Sequence, residues 1–243
     1  MKHLSARTSA TADALAAAFA MTFPTLITWI YFVALAKAEP SLQQTAYTIG
    51  KVLQFAFPLC WVVAVQRRRL RFDRPAGRGL GWGAAFGAAV FAASMAIYFA
   101  WLKPEGFFAA NATAIHQKVT GFGVDSFWPY VGLAAFYSVC HSLLEEYYWR
   151  WFVFGELKRL IPPGWAIAVS SIAFMAHHVL VLGFYFGWTS PATVLLSLAV
   201  AVGGAVWAWI YHQSGSLYAV WLSHFLVDAA IFTVGYDLVR PFF

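Results

Sequence analysis

The chain has 243 residues, of which 61% are hydrophobic and only 11% are charged. Soluble domains carry charge on about a quarter of their residues, so this composition excludes a soluble globular protein. We therefore predict an all-α, polytopic membrane protein. The formal net charge of +6 needs an explanation that fits a membrane protein.

Helical spans need about 20 apolar residues each. Cutting the sequence at proline, glycine and charge clusters predicts a transmembrane bundle of about seven spans, with approximate limits Ala12–Ala36, Gln44–Gln66, Leu80–Leu102, Phe127–Leu157, Trp165–Phe186, Pro191–Tyr211 and Ser216–Val234. An interfacial helix over Ala109–Val119 would make eight helices. We expect one integral membrane domain, with a three-span part over residues 1–125 and a motif-bearing core over residues 126–243.

Most of the positive charge lies between the second and third spans. This loop contains one acidic residue, Asp73, and six arginines, Arg67, Arg68, Arg69, Arg71, Arg74 and Arg78. Cytoplasmic loops are enriched in basic residues, so we expect this loop and the N-terminus, with Lys2 and Arg7, in the cytoplasm. The arginine run is short and has few aromatic residues, so it predicts attraction to anionic lipid and no nucleic-acid partner.

The two cysteines, Cys60 and Cys140, both fall in apolar runs. They are not spaced as a metal-binding or redox pair. We interpret them as small core residues.

The fourth predicted span contains two adjacent carboxylates and an arginine, Glu145, Glu146 and Arg150. An ionisable side chain at membrane depth costs roughly 2.5 to 3.5 kcal/mol, so this motif indicates a function. In an α-helix Glu146 and Arg150 share a face at i,i+4 and can pair, while Glu145 is rotated by about 100°. We expect Glu146 to have a structural role and Glu145 to be available for catalysis. The alternative is an ordinary helix end at the lipid headgroups.

Two later spans carry histidines. The fifth has His177 and His178 after Phe174, and the seventh has His224 and Asp228 at i,i+4 on one face. Such residues can simply join neighbouring helices through hydrogen bonds. Counted from the cytoplasmic helix ends at about 1.5 Å per residue, however, Glu145 lies roughly 18 Å deep, His178 roughly 20 Å and His224 roughly 12 Å. These similar depths predict one polar chamber within the bundle.

The order of the motifs resembles the CPBP intramembrane proteases, also called the CAAX protease and bacteriocin-processing (Abi) family. The resemblance rests on Glu-Glu-x-x-x-Arg at residues 145–150, Phe-x-x-x-His at 174–178 and His-x-x-x-Asp at 224–228. It implies that Glu145 and His178 activate water and that His224 and Asp228 orient it and stabilise the oxyanion. It also implies that the Glu146 and Arg150 pair holds the helix geometry.

The third motif ends in Asp228 where the better-known eukaryotic CAAX endopeptidases have asparagine. Aspartate donates a hydrogen bond only when protonated, so Asp228 would either orient His224 or be kept neutral by burial. Oxyanion stabilisation would then fall mainly on His224. His177 is an additional candidate, and the spacing from Phe174 favours His178.

His178, His224 and Glu145 could together bind a zinc ion, because two histidines and a carboxylate form a ligand set typical of catalytic zinc sites. The chain lacks His-Glu-x-x-His, so we expect metal-free catalysis and no cofactor.

The sequence thus predicts an intramembrane endopeptidase of glutamate type, multi-pass in a bacterial cytoplasmic membrane. It would cut near the end of a membrane-associated peptide or protein, either a prenylated C-terminus or a bacterial leader or sorting segment. The alternative is a proton-coupled transporter or scaffold in which the same residues relay protons. No inverted repeat is visible in the sequence, which disfavours a transporter.

The predicted orientation can be tested by cysteine labelling in a background without Cys60 and Cys140. A cysteine at Gly77 should react with a membrane-impermeant reagent only after the membrane is opened, because the basic loop is expected inside. A cysteine at Asn111 should react in intact cells. The reverse pattern would invert the topology.

Overall fold

The computed structural model describes residues 9–70, 77 and 79–243. The predictions that concern Lys2, Arg7, Arg71, Asp73, Arg74 and Arg78 lie outside these residues. The described chain is helical without strands, which confirms the all-α class. The α-helices are α1 (Ala10–Trp29), α2 (Pro40–Cys60), α3 (Leu80–Ile97), α4 (Ala109–Thr120), α5 (Phe127–Ala135), α6 (Ser142–Glu146), α7 (Gly155–Leu160), α8 (Pro163–Phe186), α9 (Pro191–Ser214) and α10 (Leu217–Val239).

Several helices are extended by π-helical turns. These turns are Ile30–Ala34 after α1, Trp61–Val65 after α2, Tyr98–Leu102 after α3, Phe136–His141 after α5 and Tyr147–Phe154 after α6. A short 3₁₀ helix, Arg240–Phe242, follows α10. The predicted interfacial helix coincides with α4.

Local sequence explains most helix ends. Ser9 caps α1 and Ser216 caps α10, each hydroxyl accepting a hydrogen bond from a backbone N–H of the first turn. Helices α2, α8 and α9 begin with proline, whose missing N–H costs nothing at that position. The chain turns after α8 at Gly187 and after α9 at Gly215, with φ of 91° and 67°.

Six helical segments among the described residues are long and apolar enough to cross a membrane. They are Ala10–Ala34, Pro40–Val65, Leu80–Leu102, Pro163–Phe186, Pro191–Ser214 and Leu217–Phe242. They match six of the seven predicted spans, and this is a multi-pass integral membrane protein. The remaining predicted span, Phe127–Leu157, is helical but is made more polar by its motif.

The described chain forms two compact units, each built from two stretches. The first unit takes its residues from Met1–Arg74 and Tyr147–His212, and the second from Pro75–Glu146 and Gln213–Phe243. The predicted division into two continuous parts, residues 1–125 and 126–243, stays a prediction.

In the first unit, a buried polar network joins the start of α1, the end of α2 and α7. The Gln66 amide donates to Asp13 at 2.8 Å and to Glu156 at 2.9 Å. Arg68 and Arg159 then contact Glu156 at 2.8 Å and 2.7 Å. Because buried carboxylates are costly unless paired, this network fixes one end of the unit.

In the second unit, α3 and α10 run side by side in the same direction. A Cβ atom at Gly83 would overlap the carbonyl oxygen of Ala219, and one at Gly87 would lie 2.9 Å from the carbonyl oxygen of Ser223. Further along, Tyr98 donates to Asp237 at 2.7 Å. Small residues therefore allow the two backbones to approach closely, as is common in membrane helix pairs.

The helical run of residues 127–146, which comprises α5, a π-helical turn and α6, lies antiparallel to α10 in this unit. Tyr130 donates to the carbonyl of Phe232 at 2.8 Å, and Trp221 donates to the carbonyl of Val139 at 2.9 Å. Because α3 and α10 point the same way, an odd number of crossings must separate them. The predicted spans Phe127–Leu157, Pro191–Tyr211 and Trp165–Phe186 between them are three, which is consistent with this parity, and the crossing of Phe127–Leu157 stays a prediction.

One prediction about packing is wrong. Cys60 and Cys140 are exposed on their helices and are not small core residues. In a membrane bundle an apolar run is a poor guide to the interior, because lipid-facing surfaces are apolar too.

The close contact of α3 with α10 predicts that Gly83→Ala destabilises the protein. A methyl group there collides with backbone, so we expect a loss of about 1 to 3 kcal/mol, seen as a lower unfolding temperature in detergent. Gly81→Ala is the matched control, because its Cβ would meet nothing within 4 Å. Equal unfolding temperatures for the two variants would contradict the packing.

Candidate functional site

The acidic motif lies on the short helix α6, between the π-helical turns Phe136–His141 and Tyr147–Phe154. π-Helical turns are rare and frequently occur at functional sites. Glu145 is 4% exposed and Glu146 is fully buried. Two adjacent buried carboxylates require nearby polar partners.

His224 of α10 meets both glutamates. Its Nδ1 atom lies 2.7 Å from Oε1 of Glu146, a hydrogen bond in which the ring donates to the carboxylate. Its Nε2 atom lies 3.8 Å from Oε2 of Glu145. The two glutamates of the first motif and the histidine of the third therefore lie side by side.

Asp228 completes this group. Its Oδ1 atom lies 3.6 Å from Nε2 of His224, one helical turn along α10. The prediction that these two residues share a helix face is confirmed. We call Glu145, Glu146, His224 and Asp228 the His224 cluster.

Sequence reasoning missed a second histidine beside the cluster. Nε2 of His141 lies 3.9 Å from Oε1 of Glu145, and its ring contacts Tyr137 with centroids 5.0 Å apart. The signal was present, because His141 precedes Glu145 by four residues, the same spacing that identified His224 and Asp228. Glu145 thus lies near two imidazole rings.

Arg150 belongs to the first unit and is almost fully buried. Its guanidinium lies over the rings of Phe174 and Trp207, 4.7 Å and 5.0 Å from their centroids, and donates to the carbonyl of Gly204 at 3.4 Å. Cation–π contacts of a desolvated arginine are worth about 2 kcal/mol. Arg150 therefore holds its own helical turn against α8 and α9. Its predicted pairing with Glu146 stays a prediction.

His177 and His178 have different surroundings in the same unit. The His177 ring is buried and lies parallel to Trp149, with centroids 5.8 Å apart. Nδ1 of His178 lies 3.0 Å from the carbonyl oxygen of Phe174. Because a carbonyl only accepts, Nδ1 carries the proton and Nε2 is the basic atom of neutral His178. Phe174 and His178 share a face, as predicted.

The chamber predicted from the sequence takes Glu145 and His224 from one unit and His178 from the other, and it stays a prediction. The same holds for the alternative zinc ligands His178, His224 and Glu145. Within the described residues, no three His, Cys, Asp or Glu side chains form a group suited to a metal ion.

Comparison with known proteins identifies one family. Residues 127–230 match the family model described as type II CAAX prenyl endopeptidase Rce1-like. This range contains all three motifs, and the match confirms the resemblance drawn from them. No curated protein and no solved structure matches the chain.

The surroundings of Arg150 predict a structural role for it. Arg150→Ala should reduce the yield of folded protein, because it removes two ring contacts and a hydrogen bond from a buried position. Arg150→Lys should recover only part of the yield, since an ammonium lacks the planar guanidinium surface. The measurement is monodisperse protein recovered in detergent, with exposed Arg69→Ala as the control. Wild-type recovery of Arg150→Ala would contradict the assignment.

Proposed function

We propose that this protein, whose residues 127–230 belong to the Rce1-like type II CAAX prenyl endopeptidases, hydrolyses a peptide bond near the end of a membrane-associated substrate. The substrate class that the family favours is a prenylated C-terminus. In a bacterial membrane, a leader or C-terminal sorting segment is the equivalent substrate.

The His224 cluster is the observation that carries this proposal. Three carboxylates from two helices converge on one buried imidazole, at 2.7 Å, 3.8 Å and 3.6 Å from its nitrogens. A purely structural role would need only one such pair. Amide hydrolysis needs a base for water, a donor for the oxyanion and a proton for the leaving amine, and this cluster offers all three.

Glu145 is the proposed base. It lies near the imidazoles of His224 and His141 and, when ionised, can accept a proton from the attacking water. The protonated carboxyl then returns this proton to the leaving amine. His178 is proposed to assist through its basic Nε2 atom.

His224 is the proposed donor to the oxyanion. Its Nδ1 is held by Glu146, which fixes the ring orientation and directs Nε2 towards Glu145 and Asp228. A protonated Nε2 can donate to the negative oxygen of the tetrahedral intermediate. Glu146 is therefore a positioning residue for His224, and Asp228 contacts the same ring at Nε2.

We propose that no metal takes part and that the N-terminus lies in the cytoplasm of a bacterial cell. The missing His-Glu-x-x-His motif supports the first point. The basic loop that starts at Arg67 supports the second, because two candidate spans, Ala10–Ala34 and Pro40–Val65, separate it from the N-terminus.

The role of Glu145 predicts that Glu145→Gln abolishes processing while the protein stays folded. A lost general base lowers the rate by about 10²- to 10⁴-fold. The measurement compares the termini of membrane proteins, by mass spectrometry, in cells with the wild type, with Glu145→Gln and with Glu105→Gln. Glu105 is an exposed carboxylate outside the cluster, so its variant should process normally.

Near-normal processing by Glu145→Gln would refute the assigned base. A transporter or scaffold would instead leave all protein termini unchanged in every strain.

The different surroundings of the two adjacent histidines predict different outcomes. His178→Ala should remove peptidase activity, because it removes the proposed basic Nε2 atom. His177→Ala should stay active and lose about 1 kcal/mol of stability, because it removes a ring packed against Trp149. Cleavage rate and unfolding temperature are measured on both purified variants. An inactive His177→Ala beside an active His178→Ala would reverse the assignment.

A further inference from the structure

A second charged group lies in the second unit, at the far end of α3 and α10. The carboxylate of Asp237 contacts Nζ of Lys103 at 2.6 Å, accepts from Tyr98 at 2.7 Å and contacts the guanidinium of Arg240 at 3.1 Å. The side chain of Asp237 is only 10% exposed. Its charge is therefore neutralised and shielded by three donors.

Asp237 neutralises only part of the positive charge of Lys103 and Arg240. Lys103 and Arg240 together carry two positive charges against the single negative charge of Asp237. Their side chains are 44% and 56% exposed, and each has further N–H donors beyond its contact with Asp237. The group therefore presents one excess positive charge at the surface.

Both cations line a pocket of about 290 Å³. Tyr98 and Asp237 also line it, with the Asp237 carboxylate held by its three donors, and the remaining walls are apolar and include Leu102, Phe108 and Pro241. A concave site with apolar walls and two convergent donors fits a ligand with an anionic group and a hydrocarbon part.

The pocket lies at the level expected for lipid headgroups. Asp237 follows Leu217 by 20 residues on α10, which corresponds to about 30 Å, the thickness of the hydrocarbon core. Lys103 directly follows the apolar span Leu80–Leu102. Nearby Phe99 and Trp101 are exposed, and such aromatic residues are typical of the membrane interface.

We propose that this pocket binds the phosphate of an anionic phospholipid through Lys103 and Arg240, with the acyl chains along the exposed aromatic surface. A zwitterionic headgroup is disfavoured, because its ammonium would approach two cations. Free inorganic phosphate offers the same anionic group but makes no contact with the apolar surface. The site is separate from the peptidase proposal and does not depend on it.

The test measures lipid binding to the purified protein in detergent by native mass spectrometry, with phosphatidylglycerol and phosphatidylcholine. The wild type should prefer phosphatidylglycerol. Arg240→Gln should weaken its binding about fivefold, the effect of one cation near the surface, and Arg240→Lys should restore it. In Arg240→Gln, Asp237 keeps its contacts with Lys103 and Tyr98, so this variant should remain folded. Its unfolding temperature checks this.

Lys118→Gln is the matched control, because it removes one positive charge from the same unit without lining the pocket. It should bind phosphatidylglycerol like the wild type. Equal weakening in Lys118→Gln and Arg240→Gln, or equal binding of the two lipids, would overturn the proposal. Full displacement of phosphatidylglycerol by millimolar inorganic phosphate would also overturn it, because the site would then take free phosphate.

Discussion

The central constraint on this protein is that carboxylates buried among apolar helices must find polar partners inside the protein. The hydrogen bond from His224 to Glu146 meets this constraint at the motif-bearing helix and brings Glu145 and Asp228 to the same ring. The same rule governs the ends of the helices. Gln66 and two arginines compensate Asp13 and Glu156 in one unit, and Lys103 and Arg240 compensate Asp237 in the other. The His224 cluster differs from these networks because three carboxylates surround a single imidazole.

The position of His224 depends on backbone packing as much as on its hydrogen bond. Gly83 and Gly87 let α3 approach α10 closely, so α10 has a fixed register in its unit. The run from α5 to α6 then lies antiparallel along α10 and presents the two glutamates to the histidine. A membrane interior gives little hydrophobic drive for helix association, so close backbone contact and polar bonds carry this arrangement. Small residues in α3, far from the motifs in sequence, thereby support the site.

Much of this fold was accessible from the sequence, because apolar length and charge define spans strongly. The i,i+4 rule correctly placed His224 with Asp228, and it could have added His141 to Glu145. The pairing of Glu146 with Arg150, which the same rule suggested, stays a prediction, and the residues between them are π-helical. The parallel contact of α3 with α10 also could not be predicted, since it depends on tertiary packing. Cys60 and Cys140 were misplaced because hydrophobicity does not separate a lipid-facing surface from a core.

The most direct test of a glutamate-type intramembrane peptidase is whether it still hydrolyses a peptide bond when metal ions are removed. Purified protein in liposomes is given a farnesylated peptide ending in Cys-aliphatic-aliphatic-X, in H₂¹⁸O with a strong metal chelator. If the His224 cluster activates water without a metal, mass spectrometry will find ¹⁸O in the new C-terminal carboxylate, at a rate that the chelator does not change. Loss of cleavage in the chelator, restored by stoichiometric zinc, would contradict this account.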